Sequence, residues 1–141
     1  MTSPNAPTEY LLLYRGQDWD KGLTDDQTQE ILNRSMAWFE ALDRKGKVKA
    51  SQGLERTGCI VSGKKGALVM DGPFAESKEA IGGYFYLHVA NEEEAIAIAQ
   101  QCPGLEYGCI VEVRPVADMC GVRARAVEYA ARNEQLAGAN A

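Results

Sequence analysis

The stretch "GYFYLHVANEEEAIAIAQQCPGLEYGCIVEVRPV", Gly83 to Val116, holds a complete strand–helix–strand unit. Its opening alternates: Phe85, Leu87 and Val89 fall on one side of an extended chain, and Tyr84, Tyr86 and His88 on the other. Asn91 stands at a helix N-cap position with Glu94 three residues on. Glu92 and Glu93 lie in the first turn, where the positive end of the helix dipole favours carboxylates. Ala95, Ile98, Ala99 and Cys102 then recur at helical spacing, and "CPG" stops the helix. The close, "GCIVEVRPV" (108–116), alternates again. Cys109, Val111 and Val113 oppose Ile110, Glu112 and Arg114, and Pro115 suits a strand end.

Working outward, the N-terminal half repeats the plan. "EYLLLYR" (9–15) is an apolar run of strand length. Its inward set is either Tyr10, Leu12 and Tyr14 or Leu11, Leu13 and Arg15, since both are largely apolar. "TDDQ" (24–27) is a capping box, followed at helical spacing by Ile31, Leu32, Ser35, Trp38, Phe39 and Leu42. "RKGK" supplies C-terminal cations and a glycine stop. Residues 48–70 carry glycines between short β-rich runs, which predicts a strand near 48–54 and a hairpin of 57–62 with 67–70 closed by "GKKG". The order β-α-β(ββ)-β-α-β predicts an α+β, ferredoxin-like split β-α-β fold with an antiparallel sheet and an extra β-hairpin. Helices then cover one sheet face, and the other must be wet or covered by a partner. Residues 1–8 form a disordered lead. In the extension 119–141, Val122, Ala126, Tyr129, Ala130 and Asn133 have helical spacing, with Glu128 and Arg132 an i,i+4 pair.

Composition narrows the function. A chain of 141 residues is one domain by length, and its net charge of −5 offers no basic face for nucleic acid. No apolar run is long enough to span a bilayer. The first ten residues lack the charged and apolar regions of a signal peptide, so a cytoplasmic protein is expected. Four cysteines (59, 102, 109, 120) without a C-x-x-C pair, and one histidine, do not build a zinc site of the usual spacing. They are expected to be small buried hydrophobes in a reducing compartment. No nucleotide-binding or nucleophile-elbow motif occurs, so neither a cofactor nor a metal is called for.

"VMDGPFAESKEAIGG" (69–83) is the most distinctive loop. Asp71-Gly72 is turn chemistry, and Pro73 keeps Gly72 out of helical geometry. Phe74 is expected to pin the loop to the core and Ser77 to cap one turn, while Gly82-Gly83 permits a sharp strand entry. With "EYLLLYRG" and "VEVRPV", this loop resembles the YCII-related, or DGPF-domain, family of small bacterial proteins over residues 9–118. The resemblance implies a protomer that dimerises sheet to sheet into a dimeric α+β barrel. It also implies the genomic company of extracytoplasmic-function sigma factors, which suggests a role in regulation. Some relatives in the wider superfamily carry a His/Asp pair near the chain start. This chain has no histidine before His88, so that pair does not carry over.

On the uncovered face the alternation gathers Tyr84, Tyr86, His88, Glu112 and Arg114, with Asp71 at the rim. Aromatic and titratable groups in that density suit a small-molecule pocket. His88 and Asp71 are the acid/base candidates, and the other four are candidate ligand contacts. The expected function is small-molecule binding by a homodimer, with metal-free acid/base catalysis as its enzymatic form. The alternative is a non-catalytic regulatory or dimerisation module.

Overall fold

A computed structural model of the chain describes residues 6–16, 18–63, 66–71 and 81–139. The elements run β1 (Glu9–Arg15), α1 (Asp25–Arg44), β2 (Val48–Gly53), β3 (Cys59–Ser62), β4 (Ala67–Asp71), β5 (Ile81–His88), α2 (Glu92–Ala99), β6 (Ile110–Pro115) and α3 (Gly121–Ala139). A 3-10 helix, Pro103–Tyr107, links α2 to β6. Strands β2-β5-β1-β6 form one antiparallel sheet in that order, and β3-β4 form a separate hairpin. This is the ferredoxin-like α+β plan, with the hairpin inserted between the second and third strands of the main sheet.

Both core helices begin where their caps place them. Thr24 accepts from the Gln27 N–H at 3.1 Å while the Gln27 side chain accepts from the Thr24 N–H at 2.9 Å, the reciprocal capping box. Gly46, at φ +69°, turns the chain out of α1. Asn91 caps α2 by accepting from the Glu94 N–H at 2.9 Å, and the Glu94 side chain reaches back to the Ala90 N–H. Among the described residues no helix is long and apolar enough to cross a membrane.

The two helices lie over the sheet face made by Tyr10 and Leu12 of β1 and Leu87 of β5. With Val89, Leu42, Ala95, Ile98 and Ala99 these form the buried core. Leu12 and Leu87 are inaccessible to water, each contributing roughly 1.5–3 kcal/mol through burial. Register then assigns the rest. Leu12 lies opposite Phe85 and Val113, so those face inward, while Leu11 opposes Tyr86 and Arg114 on the open face. The first strand thus sends Tyr10, Leu12 and Tyr14 under the helices and Leu11, Leu13 and Arg15 outward.

Some expectations need adjustment. Leu32, placed on the buried stripe of α1 by spacing, is half exposed, because only Ile31 and Leu42 of that helix are fully buried. Cys59 and Cys120 are exposed, unlike Cys102 and Cys109. The C-terminal helix extends to Ala139, and its Val122, Val127, Tyr129 and Leu136 are all exposed. Phe74, Ser77 and the Gly72-Pro73 turn lie outside the described residues.

Gly83 explains half of the double glycine. It is buried between β1 and β2, opposite Tyr14 and Gly53. A Cβ there would meet the Gln52 carbonyl oxygen at 2.8 Å and the Gly53 Cα at 3.3 Å. Backbone cannot yield as a side chain does, so Gly83→Ala is expected to cost about 1–3 kcal/mol. Gly22→Ala, with open space around it, should stay within about 0.5 kcal/mol of wild type. Urea unfolding of both variants checks this, and an unchanged midpoint for Gly83→Ala would show that β2 retreats freely.

Candidate functional site

The open face carries the titratable groups that alternation places there, but not in one cluster. His88 lies across from Glu9 at one end of the β1–β5 ladder. Glu112 and Tyr84 both lie level with Leu13, four residues further along β1. At about 3.4 Å per residue, His88 and Glu112 are separated by more than a side-chain length along the strands as well as by a strand between them. Asp71 ends β4 opposite Cys59, in the separate hairpin. Arg15 and Arg114 flank Glu112 at 3.6 and 3.8 Å, an exposed charge row of modest energetic value.

Tyr86 is engaged by a residue that spacing alone did not single out. Its hydroxyl donates to one oxygen of Glu9, and Lys49 donates to the other at 2.6 Å while lying 5.5 Å from the Tyr86 ring centroid. The hydrogen bond from Lys49, then that from Tyr86, holds the Glu9 carboxyl below the usual carboxylate range. The same contacts raise the Lys49 ammonium and the Tyr86 hydroxyl. Lys49 reaches Glu9 because a bulge between Val48 and Ala50 shifts the register of β2.

A cavity of about 560 Å³ lies on the other side of the sheet, beneath α1. Tyr14, Trp19, Trp38 and Phe85 supply its aromatic wall, Cys102 and Cys109 one end, and Asp20 and Arg56 its polar mouth. Phe85 organises the wall: Trp38 stacks on it at 5.1 Å and Tyr14 meets it edge-on at 5.4 Å. Arg56 is held by Asp18 at 3.3 Å and Asp20 at 3.5 Å. Gly104 lets Trp19 close the wall, since a Cβ would meet its ring at 3.1 Å.

Two polar atoms there are shielded from water and have no hydrogen-bond partner among the described residues: the Tyr14 hydroxyl and the Trp38 indole N–H. An unmade buried hydrogen bond costs about 1–3 kcal/mol, so such groups call for an explanation. Burial, then the neighbouring Cys102 and Cys109, pushes the Tyr14 hydroxyl far up, which keeps it a donor. The hydrogen bond from Cys109, against burial, brings the Cys102 thiol below its ordinary range, helped by the Gly104 and Leu105 N–H groups. Cys109 is correspondingly raised. Periodicity finds these residues only as core. The signal available in the sequence is the compact "CPGLEYGC" (102–109), two thiols spanning a proline–glycine turn. Among the described residues no group of three or more His, Cys, Asp or Glu side chains could hold a metal.

The Glu9 cluster makes a pH-dependent contribution with a defined sign. Its folded pKa is depressed, so the stabilisation is present above the unfolded carboxylate value and lost as pH falls through the folded one. Glu9→Gln is expected to be less stable than wild type at neutral pH and to converge with it under acid. Denaturation curves at several pH values would show a constant gap instead if Glu9 acted only through packing.

A model of the YCII-related domain matches residues 9–120. Comparison with curated proteins finds no match. Among solved structures the chain is similar to At3g17210 from Arabidopsis thaliana, known from an ensemble refinement of its crystal structure. That likeness has 12% identity and a TM-score of 0.33, and covers 81% of this chain and 99% of that one. The family match takes in every strand of the sheet and both core helices, and on it the chain belongs to the YCII-related domain family.

Proposed function

We propose that the protein binds a small, largely apolar organic molecule in the cavity beneath α1, and that it does so as a homodimer. The observation that supports the binding site is the cavity of about 560 Å³ with Tyr14, Trp19, Trp38 and Phe85 as its aromatic wall. That volume is in the range of ligand pockets, and few polar groups among aromatic ones is their usual composition. The flat aromatic wall favours a planar ligand that can stack on it. Asp18 and Asp20 neutralise Arg56, so the mouth does not select strongly for an anion.

The dimer is supported by the open sheet face. Leu11, Leu13, Tyr84 and Ile110 lie there between the ion pairs, and Ile110 is 48% exposed. A second copy of the same face would cover this apolar area with an isologous interface. Light scattering is expected to give a dimer mass at micromolar concentration, and Ile110→Glu to shift it toward the monomer. A monomer mass for wild type would remove the dimer without touching the cavity.

Trp19→Ala is the direct test of binding. It removes one aromatic face of the cavity wall, so the ligand loses a stacking contact of about 0.5–1.5 kcal/mol. Thermal-shift screening with planar aromatic compounds finds the hits, and titration calorimetry compares the variant. Hits bound equally by wild type and Trp19→Ala would place the site elsewhere. Consumption of a hit would make the protein an enzyme, and binding without turnover a regulatory module.

A further inference from the structure

The C-terminal helix gains little burial from its own chain. α3 (Gly121–Ala139) is about 28 Å long. From Gly121 to Gly138 every residue but Ala124 is exposed. An isolated helix of that length is marginal in water, so it calls for a surface to lie on. Val122, Ala126, Tyr129, Asn133 and Leu136 follow one another at alternating spacings of four and three, which makes a seam along one side. Val122 is 82%, Tyr129 60% and Leu136 63% exposed. Around the helix, Arg125 and Arg132 border that seam on one flank and Arg123 on the other. The result is an apolar stripe edged with cations.

The outer face of α1 is its counterpart. Asp25, Gln29, Leu32, Met36, Phe39 and Asp43 repeat the alternation of four and three, with Leu32 50% and Met36 53% exposed at its centre. Asp25, Glu40 and Asp43 are exposed around that apolar centre. A groove of about 290 Å³ runs beside it, lined by Met36, Phe39 and Glu40 with Ser51 of β2 and Phe85. This groove lies toward the β2 edge of the sheet, whereas α3 follows β6, the opposite edge. Within one protomer the two stripes therefore stay apart, both in water.

We propose that α3 of one copy docks on the outer face of α1 of a second copy, exchanged reciprocally within the homodimer. Apolar seam meets apolar seam, and Arg123, Arg125 and Arg132 come to lie along Asp25, Glu40 and Asp43. A reciprocal exchange satisfies a two-fold axis. Pairing α3 with a second α3 would instead bring Arg125 and Arg132 against like charges, which disfavours it. The groove shares Ser35, Ser51 and Phe85 with the ligand cavity, so a docked α3 supplies an outer wall beside that site. The inference rests on the homodimer proposed above, but it uses a surface other than the open sheet face.

The test uses the full chain with the exposed Tyr129 replaced by photoreactive p-benzoylphenylalanine. Irradiated protein is separated under reducing conditions, and the crosslinked peptides are identified by mass spectrometry. A band of twice the chain mass is expected, joining position 129 to α1. Arg125→Glu with Arg132→Glu should lower its yield at least about 5-fold. Adding Glu40→Arg and Asp43→Arg to that variant should restore the yield, which separates loss of charge pairing from loss of the helix. Crosslinks to a second α3, to α1 of the same chain in the monomer band, or to no part of α1 would overturn the proposal. So would a failed rescue. Light scattering on the same samples keeps the two readings apart. A dimer mass without crosslinks to α1 rejects the exchanged helix alone, and a monomer mass rejects the homodimer as well.

Discussion

The double-sided pairing of β1 is the constraint on which the rest of the structure depends. β1 is hydrogen-bonded along both edges, to β5 and to β6, and its Leu12 is wholly buried beneath the helices. In a ladder of period two, fixing one inward residue fixes the facing of every residue on three strands, and a slip of one would invert them all. With Leu12 inward, Phe85 and Val113 must face α1 and α2, while Leu11, Tyr86 and Arg114 must face away. The aromatic cluster on Phe85 and the polar row on the open face are two outcomes of that one register.

The faces consequently hold different kinds of chemistry. On the open side each charge finds an opposite one: Glu9 has Lys49, and Glu112 has Arg15 and Arg114. These groups remain in contact with water, so their pairing is screened and shifts stability little. Beneath α1 the polar groups are few, but the surroundings are apolar and each interaction counts for more. The unpaired Tyr14 hydroxyl stands there with Cys102 and Cys109, beside Trp19, Trp38 and Phe85.

Much of the fold was legible because local signals agreed with one another. Thr24 and Gln27 marked the start of α1, Asn91 and Glu94 that of α2, and the alternation of Phe85, Leu87 and Val89 assigned the faces of β5. "EYLLLYR" did not disclose its own facing, because its odd and even residues are comparably apolar, and only burial against the helices decides between them. The titratable residues on the open face were legible too. Their distribution was not, since the offset of Glu112 from His88 is a property of strand register rather than of alternation. The cavity was least legible. Tyr14, Trp38, Arg56 and Cys109 come from separate elements, and each has an ordinary core or surface explanation where it stands.

Glycines join these levels. Gly83 carries no side chain because β2 backbone occupies the space a Cβ would need, so the edge strand can pair closely with β5 at the cavity rim. Gly104 carries none because Trp19 and Cys109 occupy its space, with the Cys109 Cβ 3.0 Å from where a Cβ would stand. Any larger residue at 104 would have to displace either the indole that walls the cavity or the Cys109 side chain. One absent methyl group therefore lets both the indole and the Cys109 side chain pack against the turn. The cavity wall and the turn that leads to Cys109 are not separable features placed side by side, because the same close packing makes both.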